Sequence, residues 1–595
     1  MEKFVIFFIL FFSQLPSFSQ NLEWIGQIGS SNNPNSSARI NSIESNDSLI
    51  FISGFTSRIA DLDPGASIYL GDTNTFKTPT VIGFVTSFDN SGEFKYSVRF
   101  NVTREFHMSI DDSSNLFVAS VISDWPFISD PVDTVLCIVE HSAGIDSISN
   151  ICTGQCGDFL QLLKFDQNGN LIYNAEIGNN APHTYFQIYS LKNTRDNGSI
   201  IYGSFSGTID FDPGNGINLS TGSGNFFLLK LDNNGDFVWF KKFPLGMRTL
   251  GLMDHLDDRI AIDNDNNIVI GGFFEDSIDT DPGPGVNYLF ARGQYNAFLI
   301  KLDSIGNFIW SVNNGTLPQS GWGTIADNHA VNIDDEDNII ASGVFYGETD
   351  FDPGPDSAIH ISEGQEDVYI SKYTPNGELI WVNTYGGSGY DKPYDIDIDH
   401  QGSIYSTGVI YSDSLDFDPG INSVPFYSNS QGDAYIVKYT ARGNLDWVHK
   451  IGSPLEREIG TSVKIHNSDL WIAGLFNDNI NFNFIGGNPQ ILDPSLGRTY
   501  IAKYSDIISS INQVVIDQNF SLYPNPSNGK VYFKNSNSNK IVEITIHDLN
   551  GQIKYHQKMD QGKIKSMNLQ INPGLYIAKI LFDSEVTIAK KLLIR

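Results

Sequence analysis

Five segments of this sequence repeat one acidic turn, Asp-x-Asp-Pro-Gly, at 61–65, 210–214, 279–283, 350–354 and 416–420. In an extended segment side chains alternate, so both carboxylates of a turn face one side: Asp61 with Asp63, Asp210 with Asp212, Asp279 with Asp281, Asp350 with Asp352, and Asp416 with Asp418. Paired carboxylates beside backbone carbonyls are the oxygen donors that hard cations take, so Ca²⁺ is the one cofactor these residues point to. The same residues also build a turn without any ion. Asp caps its own backbone, Pro fixes φ and Gly accepts a positive φ, and this is the stronger of the two readings. Two other Asp-rich runs, 263–267 and 334–338, imitate a calcium loop but lack its Gly at position six and its closing Glu; they read as β-hairpin turns.

Little else offers chemistry. There is no His-Glu-x-x-His, Gly-x-Ser-x-Gly or Gly-x4-Gly-Lys-Ser/Thr motif and no Cys-His pairing pattern, so no catalytic residue is assigned. Carboxylate pairs that hydrolyse glycosides depend on a separation in space that a sequence does not carry. The eleven histidines are scattered and read as surface or hydrogen-bonded structural residues. Cys137, Cys152 and Cys156 share one short insertion. In an exported chain they allow one disulfide, Cys152–Cys156 or Cys137 with either, and leave one thiol over. A zinc site would need about four ligands, and only His141 is at hand.

The elements that position these residues repeat with them. Three signals recur in one order along residues 20–505. The first is an alternating strand ending in Lys-Leu/aromatic-Asp, a turn, and a strand carrying an aromatic: Trp24, Tyr96, Tyr173, Trp239, Trp310, Trp381 and Trp447. The second is a strand, a polar turn and a strand with small residues, as in 260–274 and 330–345. The third is the acidic turn, with decayed forms at 130–131 and 481–484. The period is about 66–71 residues, and each unit supplies four short strands, which is one propeller blade. One aromatic per unit at a fixed position reads as filling between blades rather than as a sugar-stacking platform. The first unit opens on its aromatic strand, 22–26, without a Lys strand before it, and the last ends on an orphan Lys strand, 499–504. Joining the two completes a blade and removes exposed sheet edges. The expected fold is all-β: a seven-bladed β-propeller closed by its N- and C-terminal strands, followed by a small C-terminal β-sandwich. An open β-solenoid is the alternative.

Residues 1–19 read as a signal peptide: Lys3, an apolar run 4–12, and Ser17-Phe18-Ser19 before the cleavage point, with an uncleaved anchor as the alternative. No later stretch is apolar enough to span a bilayer, so the mature chain has no transmembrane segment. The net charge of −32 argues against a nucleic-acid partner. The charge is also uneven. Residues 517–595 carry 11 Lys and Arg against 6 Asp and Glu, a net of +5, while the rest carries 26 against 63, a net of −37. Two modules are implied: a propeller over 20–505 and a C-terminal module over 517–595, joined by a linker at 506–516.

Segments such as 399–408 and 435–447 resemble the bacterial β-propeller repeats called SBBP repeats, a likeness that covers residues 20–505 and implies a fold but no activity. The tail resembles the C-terminal sorting domain of type IX secretion substrates of Bacteroidetes-type bacteria. The residues that carry this are Pro524, Asn525, Pro526 and Gly529 in the first turn, Gly551 after 542–550, Pro573, Gly574 and Tyr576, and the terminal Lys590 and Lys591. The resemblance implies that outer-membrane type IX machinery reads the tail and that the passenger is released or attached at the surface. An ordinary accessory β-domain is the alternative. Three functions follow as expectations. The first is a secreted or surface binding module for a polysaccharide or a surface protein. The second is a hydrolase or lyase with its site in the propeller channel, and the third is a structural adhesin. Near-regular repeats without one asymmetric polar cluster favour the first and third over an enzyme.

Overall fold

The computed structural model describes residues 21–28, 38–46, 48–57, 81–101, 106–122, 135–141, 144–150, 157–178, 184–243, 247–248, 258–316, 325–418, 425–428, 431–453, 456–467, 469–482, 491–494 and 498–505, and, in the tail, 520–523, 530–535, 541–547, 553–558, 566–569, 571–572, 574–582 and 587–594. The signal segment 1–19, Asp61, Asp63, Cys152, Cys156, Pro524, Asn525, Pro526, Gly529, Gly551 and Pro573 lie outside the described residues, as do the side chains of Cys137, Lys590 and Lys591. The chain divides between Ile507 and Ile508 into two compact units.

The first unit is a seven-bladed β-propeller. Each blade is an antiparallel sheet whose first strand is innermost. Blade 5 is representative, running Ile325–Ile333, Ile339–Tyr346, Asp367–Tyr373 and Leu379–Tyr385 from the axis outward. The seven inner strands are Ala38–Ser45, Phe106–Ile110, Tyr185–Asn193, Ile260–Ile262, Ile325–Ile333, Asp391–Ile398 and Ile459–His466. Each touches the next, and the seventh returns to the first. The ring is sealed by backbone pairing of Asn21–Ile28 with Thr499–Ser505, in register from Asn21–Ser505 to Ile28–Thr499, so blade 7 is built from both ends of the unit. In five inner strands a β-bulge falls at one equivalent place, near Asn41, Tyr189, His329, Tyr394 and Thr461. A bulge adds local twist and re-aims the residues beyond it.

The repeated aromatic packs between blades. The ring of Trp381 covers Gly443, in the turn between the third and fourth strands of the next blade, and a Cβ there would come within 2.9 Å of it. Tyr96 covers Gly169, Tyr173 covers Gly235, Trp239 covers Gly306 and Trp310 covers Gly377 in the same way. Trp310 and Trp381 also donate their indole N–H groups across the blade boundary to the carbonyls of Pro375 (3.1 Å) and Ala441 (3.2 Å). Opposite six of the seven aromatics in the ladder stands the repeat's Lys, as in Trp381–Lys372 and Trp447–Lys438, while Tyr96 faces Ser87. The Cys-bearing insertion folds in part into a hairpin, Val135–His141 with Gly144–Asn150, that extends blade 1 beyond its fourth strand.

The second unit holds a three-stranded sheet (Phe520–Tyr523, Lys530–Asn535, Ser566–Asn568) and a four-stranded sheet (Ile553–Lys558, Ile541–His547, Gly574–Phe582, Thr587–Ile594). Gly574, Lys590 and Lys591 stand in the last two strands, paired antiparallel. Tyr576 is buried and donates its hydroxyl to the carbonyl of Asn572 at 2.7 Å.

Two glycines separate backbone from packing. Gly443 has φ of 80° and a ring above it, whereas Gly224 has φ of 75° and open space. Both lose about 1–2 kcal/mol in strain as Ala. Gly443→Ala should lower the denaturant midpoint clearly more than Gly224→Ala. Equal losses would mean that the aromatic does not clamp the turn.

Candidate functional site

The acidic turns lie between the second and third strands, as small hairpins raised from one face. Those of blades 3 to 6 are described. The middle residue of Asp-x-Asp is an anchor: Phe211, Phe351 and Phe417 are buried, as is Thr280 in blade 4, and Phe482 takes the place in the decayed turn of blade 7. Phe211 stacks on Phe240 with ring centroids 4.0 Å apart, and Phe417 meets Phe426 at 5.2 Å. Tyr439 and Tyr504 donate to the carbonyls of Phe417 (2.8 Å) and Phe482 (2.9 Å).

With the middle residue inward, the flanking carboxylates face out and serve the turn. Asp210 Oδ1 accepts the N–H of Asp212 (3.1 Å) and of Asn218 (2.7 Å). Asp279 accepts from Asp281 and Asn287, Asp350 from Asp352 and Ala358, and Asp416 from Asp418. Asp212, Asp281 and Asp352 each accept the N–H of the Gly two residues on, at 2.7–2.8 Å. One oxygen of each of these carboxylates is thus committed to the backbone. Among the described residues no three His, Cys, Asp or Glu side chains converge where one ion could sit.

The runs 263–267 and 334–338 are hairpin turns between first and second strands. Asn266 and Asp337 carry the positive φ of such turns, 61° and 62°. Asp263 accepts from the N–H of Asp265 and Asn267, and Asp334 from Glu336 and Asn338. The repeat's Lys neutralises each: Lys301–Asp263 is 2.9 Å and Lys372–Asp334 is 2.7 Å, with all four side chains buried. Burial opposes the charge on both carboxylates, but the Lys and the Asn four residues on outweigh it and hold them below the usual range.

The channel carries an asymmetric charged cluster that the sequence reading did not find. Counting two residues back from the turn, the inner strands present Glu44, Ser109, Lys192, Ala261, Asn332, Asp397 and Lys464 in blade order. Lys192 and Lys464 both reach Glu44, at 3.7 Å each. Lys192 pairs further with Asp258, and Lys464 with Asp397 at 3.2 Å. Five alternating charges therefore bridge the channel: Asp258, Lys192, Glu44, Lys464, Asp397. Burial disfavours both ammonium groups, yet the surrounding carboxylates outweigh it and keep them charged. Beside this chain Asp395 Oδ2 accepts from Ser462 Oγ (2.6 Å) and from the Val463 N–H (3.0 Å). Burial pushes Asp395 up to about 7, with Asp397 and Asp258 adding to the shift against those hydrogen bonds. These residues line one cavity of about 70 Å³ with Asn41, Ser42 and His107. A signal that could have found Glu44, Lys192, Asp397 and Lys464 is an inner-strand position whose residue type changes from blade to blade.

Comparison with known proteins bears mainly on the tail. Residues 521–595 match the secretion system C-terminal sorting domain, and the chain carries that domain, which marks it as a secreted or surface-attached protein. An uncharacterized WD repeat-containing protein of Acanthamoeba polyphaga mimivirus is 25% identical over 225 residues. The match covers 33% of this chain and spans 15% of that relative's length. Among solved structures, the polysaccharide lyase Uly1 is similar with a TM-score of 0.35 and 10% identity, covering 78% of this chain and 90% of its own. The Neurospora crassa Pan2 WD40 domain gives 0.27 and 10% (69% and 99% covered), and the Bacillus licheniformis rhamnogalacturonan lyase 0.25 and 12% (81% and 91% covered). No helix among the described residues is long and apolar enough to cross a membrane.

Two outcomes are expected. An unfolded Asp titrates near ~3.9, so with a folded value of about 7 for Asp395 the folded state holds the extra proton between the two, and stability falls as pH rises through that window. Asp395→Asn keeps an acceptor for Ser462 and Val463 and removes the titration. It should stabilise the propeller at pH 8 by on the order of 1–3 kcal/mol, with a gain that shrinks steadily as pH is lowered toward 4. A gain independent of pH would sink this assignment. Separately, the melting midpoint should be the same in excess Ca²⁺ and in chelator, and a rise with Ca²⁺ would place an ion at the acidic turns.

Proposed function

We propose that this chain is an exported binding module: a rigid seven-bladed disc delivered by its C-terminal sorting domain to the cell surface or the medium, where its loops contact a polysaccharide or a surface protein. The observation that carries this reading is the ion-pair chain in the channel. Its Lys192 and Lys464 are held charged by Glu44, Asp258 and Asp397, so these groups serve each other. A protonated lysine offers no base, and a carboxylate bound to one is a weak one. The hairpins lie outside this ion-pair chain, and loops on a rigid scaffold are where recognition concentrates.

A second reading, a hydrolase or lyase working in the channel, is favoured by one group. Asp395, raised to about 7, is poised to exchange a proton near neutrality. The two readings part in one experiment. The secreted chain and its Asp395→Asn variant are screened for retention on glycan and surface-protein arrays and for depolymerisation of the same polysaccharides. Retention by both chains without turnover is the expected outcome. Turnover abolished by Asp395→Asn would replace the binding reading with the enzymatic one. A chain ending at residue 516 should in addition accumulate inside the outer membrane rather than reach the surface.

A further inference from the structure

The hairpins that carry the acidic turns have a second regular feature. Their returning strands alternate. Leu289 and Phe426 face inward, Phe426 being buried, while the residues on either side face out. In a strand with one wet face those outward positions are ordinarily polar. Here most of them are apolar: Leu219 in blade 3, where the next outward residue is Thr221, Tyr288 (55% exposed) and Phe290 (67%) in blade 4, Ile359 and Ile361 (66%) in blade 5, and Tyr427 (68%) in blade 6. The register is the same throughout, since Leu219, Tyr288 and Ile359 each pair with the first Asp of their turn. Tyr288 and Phe290 lie side by side with centroids 6.1 Å apart. Exposed aliphatics also occur singly on outer strands, as at Ile172 and Val238, but singles on a rim need no explanation.

The hairpin segments themselves carry mainly negative charge, although Lys242 and Lys450 of the adjoining strands donate to the carbonyls of Thr221 (3.1 Å) and Tyr427 (3.2 Å). The four hairpin segments 207–224, 275–295, 347–366 and 411–432 contain 15 Asp and Glu and a single basic residue, Arg292. A second copy of the same face would be repelled, and so would an anionic polysaccharide. A neutral glycan would stack on the rings and donate hydroxyls to the carboxylates, but it would not be drawn in by their charge. We infer that the hairpin face of blades 3 to 6 is a docking surface for a basic protein surface that presents apolar side chains, with the carboxylates steering the encounter and the outward apolar residues forming the contact. This deepens the surface-module reading and rests on it.

The test uses the full secreted chain in about 0.15 M salt. Its probes are a labelled amphipathic Lys/Leu/Trp peptide, poly-lysine of equal charge, alginate with and without Ca²⁺, and a neutral glucan. The amphipathic peptide should bind at least about tenfold more tightly than poly-lysine. The triple variant Tyr288→Ser, Phe290→Ser, Ile361→Ser should lose about tenfold or more of that affinity at an unchanged melting midpoint. The rim pair Ile172→Ser, Val238→Ser should bind as the parent does. Equal affinity for peptide and poly-lysine, or indifference to the triple variant, overturns the inference, since the attraction is then charge alone or lies elsewhere. Binding of alginate or glucan but not of the peptide overturns the partner's chemistry while leaving a surface-binding module standing.

Discussion

The pairing of Asn21–Ile28 with Thr499–Ser505 is the constraint on which the ring depends. Without it blade 7 keeps three strands and presents the bare edge of Thr499–Ser505, an invitation to pair with another chain. The inner strand of blade 1 would then lie against a sheet free to fray. The entropy of closing so long a loop grows only logarithmically with its length, so the cost is modest in equilibrium terms. In kinetic terms it is not, because contacts this distant in sequence form slowly. The first strand of the unit is synthesised before any other, yet it has no partner until all seven blades exist.

Between the termini, the disc is held by one lock repeated blade after blade. An aromatic of one blade covers a glycine of the next, a lysine beside it reaches the turn between the first two strands, and the turn's own Asp is thereby neutralised. The lock is altered in places: in blade 6 Lys438 pairs with Asp446 of the fourth strand (3.2 Å), and Tyr405 donates to the turn's Asp399 (3.2 Å). Blade 1 has Ser87 where the others have lysine, opposite Tyr96. Blade 4 has an inner strand of only three residues, Ile260–Ile262. There the joint to blade 5 is made by Arg259, wholly buried, which donates to Asp327 Oδ1 (2.9 Å) and to the carbonyl of Asn328 (2.6 Å). Burial works against the charge on Asp327, and Arg259 with His329 overcomes it and holds the carboxyl below its usual range. A buried pair of this kind adds little net stability, but losing one partner strands the other in a medium that cannot solvate it. It acts as a pin that fixes how two blades meet.

The blade count, the strand order within a blade and the closure were legible in the sequence, because each rests on local chemistry repeated seven times. The Lys and the aromatic mark the third and fourth strands, and the orphan strands at 22–26 and 499–504 mark the seam. The alternation that sets both Asp of a turn on one side was legible too, whereas the burial of the residue between them, Phe211, Phe351 or Phe417, is a finding of the structure. The channel cluster was not. Glu44, Lys192, Asp258, Asp397 and Lys464 come from five blades and lie between 66 and 420 residues apart. Each alone reads as an ordinary polar residue in a half-buried strand, and only the bulge that re-aims the inner strands brings them face to face. The apolar face of the hairpins escaped for the opposite reason: alternating Leu, Tyr and Ile look like core until their outward side is known.

The propeller's negative charge therefore divides into two populations with different physical fates. Inside, one set of carboxylates is matched by cations, while Asp367, Asp391, Asp395 and Glu458 rest on hydroxyl and backbone N–H donors and are pushed upward by burial. Asp263 and Asp334 have their lysines, Asp327 has Arg259, and the channel acids have Lys192 and Lys464. These pairs lie where the dielectric is low and an unmatched charge would be severe. On the hairpins the acids of the turns accept backbone N–H groups. A fold that needed acids only for solubility could have placed them anywhere on its rim. Concentrating them on the one set of loops that also exposes large apolar side chains puts attraction over distance and contact at close range on the same face. Those are the two components a recognition surface needs.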